Sequence, residues 1–280
     1  MIRLILAVLL LLPVCAQAEQ LKIATWNLNW LTTRAAGDRR LPADVTPRQP
    51  QDFDRLRGYA RELNADVIAI EEVDGRNTAA LVFPPDQYSI HMTRDHVVQR
   101  VGLVVRRGLH YEVNPDVTAL AEGHLRSGAD ITLELPGARL RLLAVHLKEG
   151  CQFDPLDRSR RSSCAVLRQQ VHPLQDWIAA RQAEGIPFLI LGDFNREMDG
   201  RDRFLAELTA VAPLTRVTEG RSSPCWGKEA FIDHILAGDA ARSWVQPGSL
   251  RVLKYHETGP GWKERLSDHC PVSVRLNTPG

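Results

Sequence analysis

Residues 188–195 read Phe188-Leu189-Ile190-Leu191-Gly192-Asp193-Phe194-Asn195. The apolar half has the length and the Ile/Leu content of a buried strand. Its exit is a carboxylate and an amide, which a buried sheet does not choose. Similar apolar runs bounded by polar turns lie at 21–26, 66–70, 101–105, 131–135, 140–147, 231–236 and 271–276, and each is expected to be a strand. Several end in the same manner. Trp26 leads into Asn27, Ile70 into Glu71-Glu72, Val145 into His146 and Ile232 into Asp233-His234, while the last run starts from Ser267-Asp268-His269. One such polar end is most often a cap or a turn. Six in one chain are hard to assign to turns. In an antiparallel sheet the exit of one strand and the entry of its neighbour share a rim, so these groups can converge.

Helical spacing accounts for the segments between. Phe53, Leu56, Tyr59, Ala60 and Leu63 recur at helical period, as do Leu167, Val171, Leu174 and Ile178, and Phe204, Leu205 and Leu208. These read as amphipathic helices covering sheets, and Pro173 inside the second predicts a kink or a late start. Pro136-Gly137 predicts a hairpin between 131–135 and 140–147, which makes the sheets at least partly antiparallel. The 280 residues are 44% hydrophobic and 25% charged, a globular composition that excludes a disordered tail, a collagen and a coiled coil. No linker, repeat or low-complexity segment divides them, so residues 19–280 are expected to form one domain.

Residues 1–18 combine Arg3, an apolar run over 4–14 and Ala16-Gln17-Ala18, the pattern of a signal peptide cut after Ala18. Lipidation of Cys15 is the weaker alternative. The run is too short to cross a bilayer comfortably, and nothing later approaches about 20 consecutive apolar residues. The expectation is export to the periplasm or the medium, without stable membrane insertion. Loss of Arg3 leaves basic and acidic residues equal in number, so global steering onto nucleic acid is not supported. The densest basic cluster, Arg158, Arg160, Arg161 and Arg168, reads as a solvated loop and helix face ahead of a phosphate-binding surface. Cys151, Cys164, Cys225 and Cys270 remain, and two disulfides are expected in an oxidising compartment. Of the three pairings, Cys151 with Cys164 is favoured because they bracket one short polar loop, leaving Cys225 with Cys270. No Cys/His spacing points to zinc.

The residue types at the strand ends fit one chemistry. Asn27, Glu72, Asp193 and Asp268 offer hard oxygen donors suited to Mg²⁺, Mn²⁺ or Ca²⁺. His146 and His269 supply proton transfer and hydrogen bonding near neutral pH. Such a set serves hydrolysis of phosphate esters.

In their order and spacing, Thr25-Trp26-Asn27, Ile68-Ala69-Ile70-Glu71-Glu72-Val73, Gly192-Asp193-Phe194-Asn195 and Ser267-Asp268-His269 resemble the endonuclease/exonuclease/phosphatase superfamily. That superfamily includes pancreatic-type deoxyribonuclease, abasic-site endonucleases, inositol phosphatases and bacterial sphingomyelinases. The resemblance implies an α/β fold, a four-layer α/β/β/α sandwich of two mostly antiparallel sheets flanked by helices, with the site at one end of the sheets. It implies Glu72 as main metal ligand with Asn27 and Asp268 close to the metal, and Mg²⁺ or Mn²⁺ as cofactor, with Ca²⁺ a further choice. It makes His269 the catalytic histidine oriented by Asp233, and gives Asp193 and Asn195 the attacking water and the phosphoryl oxygens. His146 would contact phosphate or protonate the leaving oxygen. Arg126, in Leu125-Arg126-Ser127-Gly128, resembles the phosphate-contacting arginine of the deoxyribonuclease branch, and Asn27 joins it at the substrate. Glu71 stands where the family usually has Gln and is read as a supporting neighbour. Gln99 stands where that branch pairs its second histidine with Glu. An amide orients an imidazole without stabilising its charged form, so His146 is expected to be the weaker acid. Lys148 and Arg100 are read as sharing the phosphate load or as ordinary surface charges, with equal weight.

The resulting expectation is an exported, monomeric, metal-dependent phosphodiesterase, a nuclease and more specifically an endonuclease, with DNA or RNA as its partner. The alternative inside the superfamily is a phospholipid or sphingomyelin phosphodiesterase, or a phosphatase, but no aromatic hairpin for membrane insertion is evident. The alternative from another class is an inactive binding module on the same scaffold, against which every expected metal and histidine position is retained. His234 is expected to be structural. His91, His96, His110, His124, His172 and His256 have no partner motif. Trp262, in Gly259-Pro260-Gly261-Trp262, is read as loop packing ahead of stacking on a base.

Overall fold

The computed structural model describes residues 19–121, 125–227 and 230–279. The expected leader at 1–18, with Cys15, and His124 lie outside these. Two six-stranded sheets pack face to face. The first is built from β1 (Glu19–Leu31), β2 (Val67–Val73), β3 (Tyr88–Met92), β4 (Arg100–Arg106), β11 (Arg251–Val252) and β12 (Val272–Thr278), in the order β11-β12-β1-β2-β4-β3. The second takes β5 (His110–Val113), β6 (Ala129–Leu135), β7 (Ala138–His146), β8 (Phe188–Asp193), β9 (Leu214–Arg216) and β10 (Asp233–Gly238), in the order β5-β6-β7-β8-β10-β9. Only β1–β2 and β7–β8 pair parallel within these sheets; the other pairs are antiparallel.

Alternation along the strands creates three apolar layers. Leu21 and Ile23 of β1 and Val67 and Ala69 of β2 meet Leu140, Leu142, Leu189, Leu191 and Ile235 between the sheets. The opposite faces of β1 and β2 (Ala24, Trp26, Ile68, Ile70) bury Phe53, Leu56, Tyr59, Ala60 and Leu63 of α1 (Pro50–Leu63) and Ala79 and Val82 of α2 (Arg76–Val82). The outer face of the second sheet packs Leu167, Val171, Leu174 and Ile178 of α3 (Ser162–Glu184) and Phe204 and Leu208 of α4 (Arg203–Thr209). This is the expected order helix, sheet, sheet, helix. Two short helices, α5 (Ala241–Trp244) and α6 (Trp262–Arg265), complete the set.

The expected hairpin forms, with Leu135 opposite Ala138 and Gly137 in left-handed backbone. The α3 helix runs through Pro173 without interruption. Both favoured disulfides are present, Cys151–Cys164 and Cys225–Cys270. The first strand is longer than 21–26, because a bulge with Asn29 and Trp30 at positive φ carries it on to Leu31. Strands β3, β5, β9 and β11 had no counterpart in the sequence reading. All four are short outer strands, and β5 is largely exposed, so no continuous apolar run marked them. Among the described residues, no helix is long and apolar enough to cross a membrane.

Candidate active site

The inward-facing row of each central strand turns polar at the end that meets one rim of the sandwich. Leu140, Leu142 and Ala144 are followed on the same face by His146, Leu189 and Leu191 by Asp193, and Ala69 by Glu71, while Asp233 precedes Ile235. Register then aligns them. His146 lies opposite Asp193, Asp193 opposite Asp233, and Asn27 opposite Glu71. The second sheet thus contributes a His146–Asp193–Asp233 row and the first contributes Asn27 and Glu71 across from it.

Glu72 would face outward by alternation, but its φ of 59° breaks the pleat and its carboxylate joins the same rim. Oε1 accepts from Asn27 Nδ2 at 3.2 Å and Oε2 from the Trp30 amide at 3.1 Å. Asn27 Nδ2 also donates to Asp193 Oδ2 at 3.0 Å, while Asn27 Oδ1 accepts from the Asn29 amide. His146 Nε2 stands 3.6 Å from Glu72 and 3.5 Å from Asp193. Asn195, also in left-handed backbone, donates its amide to Asp193 Oδ1 at 2.7 Å and its side-chain nitrogen to the Leu147 carbonyl. Left-handed backbone at two such non-glycine residues is conformational strain held in place by the surrounding bonds.

His269 Nδ1 bonds Asp233 Oδ2 at 2.8 Å, leaving Nε2 3.8 Å from Asp193 Oδ2. Ser267 fixes this loop, accepting from the His269 amide and donating to the Asn27 carbonyl. Tyr255 donates to the His269 carbonyl and accepts from Trp26 Nε1, and the Cys225–Cys270 bridge anchors the next residue. Asp268 is exposed and lines a cavity of about 560 Å³ together with Glu72.

Charge is apportioned by burial. Burial raises the Asp193 carboxyl to about 7, against the pull of His269. Burial also tends to neutralise His269, but the carboxylates of Asp233 and Asp193 overcome it and hold the imidazole well above its ordinary value. His146 is the opposite case. Burial and then Arg126 lower it well below the ordinary range, so it is a neutral imidazole at pH 7. Its Nδ1 is buried without a partner, and Gln99 lines the neighbouring cavities instead of bonding it. Glu71 accepts from Thr25 Oγ1, and burial, reinforced by Asp233 and Asp193, pushes its carboxyl well above the ordinary carboxylate range.

Arg126 donates to the Leu147 carbonyl at 3.3 Å and lines a smaller cavity. Arg100 bonds the Val97 carbonyl and lies against Gly75, and Lys148 pairs with Glu149. Of the basic cluster, Arg158 and Arg161 pair with Asp157 and Asp154, and Arg168 holds the Leu156 and Ser159 carbonyls. His234 is bonded by Thr218 and the Arg196 carbonyl, away from the site. Trp262 is packed under Arg55 and Arg265.

Sequence reading missed Arg48. Its guanidinium is buried and donates to the carbonyls of Leu28, Asn29, Trp30 and Leu266, tying the β1 bulge to the His269 loop. Burial lowers it to about 10, so it stays charged at neutral pH. All four partners are backbone atoms, and no motif could have signalled it.

Glu72, His146 and Asp193 each offer one ligand atom, and these lie within 4.8 Å of one another. Two carboxylates beside a neutral imidazole, with the Asn27 amide as their shared donor, are a donor set that fits a hard divalent cation keeping several waters.

The sequence profile of the Endonuclease/Exonuclease/phosphatase family matches residues 24–269. No curated protein matches the chain. Among solved structures, truncated Caenorhabditis elegans TDP2 is similar, with a TM-score of 0.65 at 14% identity over 94% of this chain and 100% of that one. D. rerio TDP2 complexed with single-strand DNA product gives 0.61 at 16% identity, over 92% and 99%. The 3' phosphatase NExo from Neisseria, bound to a product DNA hairpin, gives 0.60 at 17%, over 91% and 99%. At these identities the likeness speaks for the fold.

Proposed function

We propose that this chain, which belongs to the Endonuclease/Exonuclease/phosphatase family, is an exported, metal-dependent nuclease that hydrolyses phosphodiester bonds of DNA or RNA. The family is one of phosphoester hydrolases, and the finer reading rests on one observation. Glu72, His146, Asp193 and the Asp233–His269 pair converge on a single rim of the sandwich. The two disulfides and the leader pattern at 1–18 support export.

In this reading Glu72 would hold the cation, with Asn27 and Asp268 close to it, and Asp193 faces it across the rim as the base. A bound Mg²⁺ or Mn²⁺ would polarise the phosphoryl group and neutralise its developing charge. The Asp193–His269 pair would receive the proton of the attacking water, His269 Nε2 standing 3.8 Å from Asp193 Oδ2. Asp233 fixes the imidazole so that Nε2 faces Asp193. Asn195 orients Asp193 through its amide. His146 is neutral, so it donates a hydrogen bond to a phosphoryl oxygen and does not hand over a full proton. Arg126 and Asn27 add charge and a donor for the pentacovalent phosphorus.

A panel of supercoiled plasmid, RNA, sphingomyelin and a phosphomonoester, each with Mg²⁺, Mn²⁺, Ca²⁺ or EDTA, tests this. Nicking of plasmid that EDTA abolishes is expected. Choline-phosphate release without nucleic-acid cleavage would move the enzyme to the lipid branch, and no hydrolysis with any metal would leave a binding module.

A further inference from the structure

Trp30 differs from the other five tryptophans. Trp26, Trp177 and Trp244 belong to the core, Trp226 stacks on Tyr255, and Trp262 lies under two arginines. Among the described residues the Trp30 ring joins no core cluster and stacks on no aromatic ring or cation. It is half-buried and forms a wall between two cavities. The larger carries the carboxylates of Asp44, Glu149 and Glu264 in addition to Glu72 and Asp268, with one lysine. The smaller, about 270 Å³, is lined by Trp30, His96, Val97, Val98 and Gln99 with Arg40 and Arg126. Arg126 has its Nε buried without a partner.

From this we infer that the smaller cavity is a nucleobase subsite: one base of the substrate strand, next to the scissile phosphate, stacks on the Trp30 indole with its edge toward the Gln99 amide. The inference rests on the nuclease reading and deepens it. A slot lined by an indole, two valines, an imidazole and one amide suits a flat heterocycle, and its volume lies just below that of drug-sized pockets, about 300–1,000 Å³. The two arginines attract the phosphates that flank the scissile one to this side, while the scissile phosphate itself belongs at the acidic lobe, where a cation would offset Glu72 and Asp268. The same two cations disfavour a quaternary ammonium headgroup here.

The test is a cycle of kcat/KM values for a short oligonucleotide and for the same strand with each base replaced by an abasic spacer. Wild type, Trp30→Ala, Trp30→Phe and Gln99→Ala are compared with Mn²⁺, and each is first shown to keep its thermal midpoint. Loss of stacking is expected to cost Trp30→Ala roughly 5- to 150-fold on the normal strand, mostly in KM, with Phe restoring most of it. On the abasic strand Trp30→Ala should match wild type, and Gln99→Ala should weaken only the normal strand. Equal values for Trp30→Ala and wild type on the normal strand, or an equal loss on both strands, would overturn the subsite while the nuclease reading stands. So would a Trp30→Ala loss confined to sphingomyelin. A wild type that cleaves neither strand would overturn the nuclease reading itself.

Discussion

The rim's two histidines, His146 at the end of β7 and His269 in the loop before β12, differ in charge because their surroundings differ. His269 is held cationic by two carboxylates, and His146 is kept neutral by burial beside Arg126. His269→Ala should therefore lower turnover by about 10²- to 10⁴-fold with circular dichroism unchanged; equal turnover would remove it from the reaction. A third histidine reports on stability. His234 is neutral, drawn down to about 4 by burial, and its unfolded value is near 6.5. The unfolded chain thus binds a proton that the folded chain refuses between those values. Stability falls as pH drops through that window, by about 3 kcal/mol at most. Denaturant titrations at pH 7 and pH 4.5 should show this drop in wild type and a shallower one in His234→Gln. Identical slopes would mean that His234 is accessible to protons in the fold.

At the scale of elements, the parallel β7–β8 pair sets the site. Gly192 has a φ of 144°, and a Cβ there would sit 1.9 Å from the Val145 carbonyl oxygen. Gly192→Ala must push the strands apart where His146 faces Asp193, and a loss of about 3 kcal/mol is expected, read from the thermal midpoint, with activity falling further than stability. The Cys151–Cys164 bridge closes a separation of 13 residues beside Arg196, which holds the Cys151 and Asp154 carbonyls next to Asn195. Replacing both cysteines by Ser should cost roughly 3 kcal/mol, measured by denaturant unfolding. What was legible follows the same physics. Strands such as 188–191 announced themselves because both faces are buried, and α1, α3 and α4 because one face is. The short outer strands β5, β9 and β11 carry no such run. The site's acids and histidines stood out as polar residues in apolar frames, but the left-handed turn that swings Glu72 onto the rim leaves no trace in residue type. Arg48 bonds carbonyls that every sequence has, and Trp30 looks like any core aromatic until the bulge exposes it.

For the whole molecule, the sandwich gathers at one end of its two sheets what each strand supplies singly. On the proposed reading, near-zero net charge makes nucleic-acid binding local, through Arg126, Arg40 and a cation, and nuclease activity should then depend far more on divalent metal than on low salt. The most direct measurement is the rate of supercoiled plasmid nicking against Mn²⁺ concentration for wild type and Glu72→Gln. The account expects wild type to be silent in EDTA and saturable in metal, and Glu72→Gln to need at least about tenfold more metal or to stay silent. Full nicking in EDTA, or superimposable metal curves for the two proteins, would contradict it.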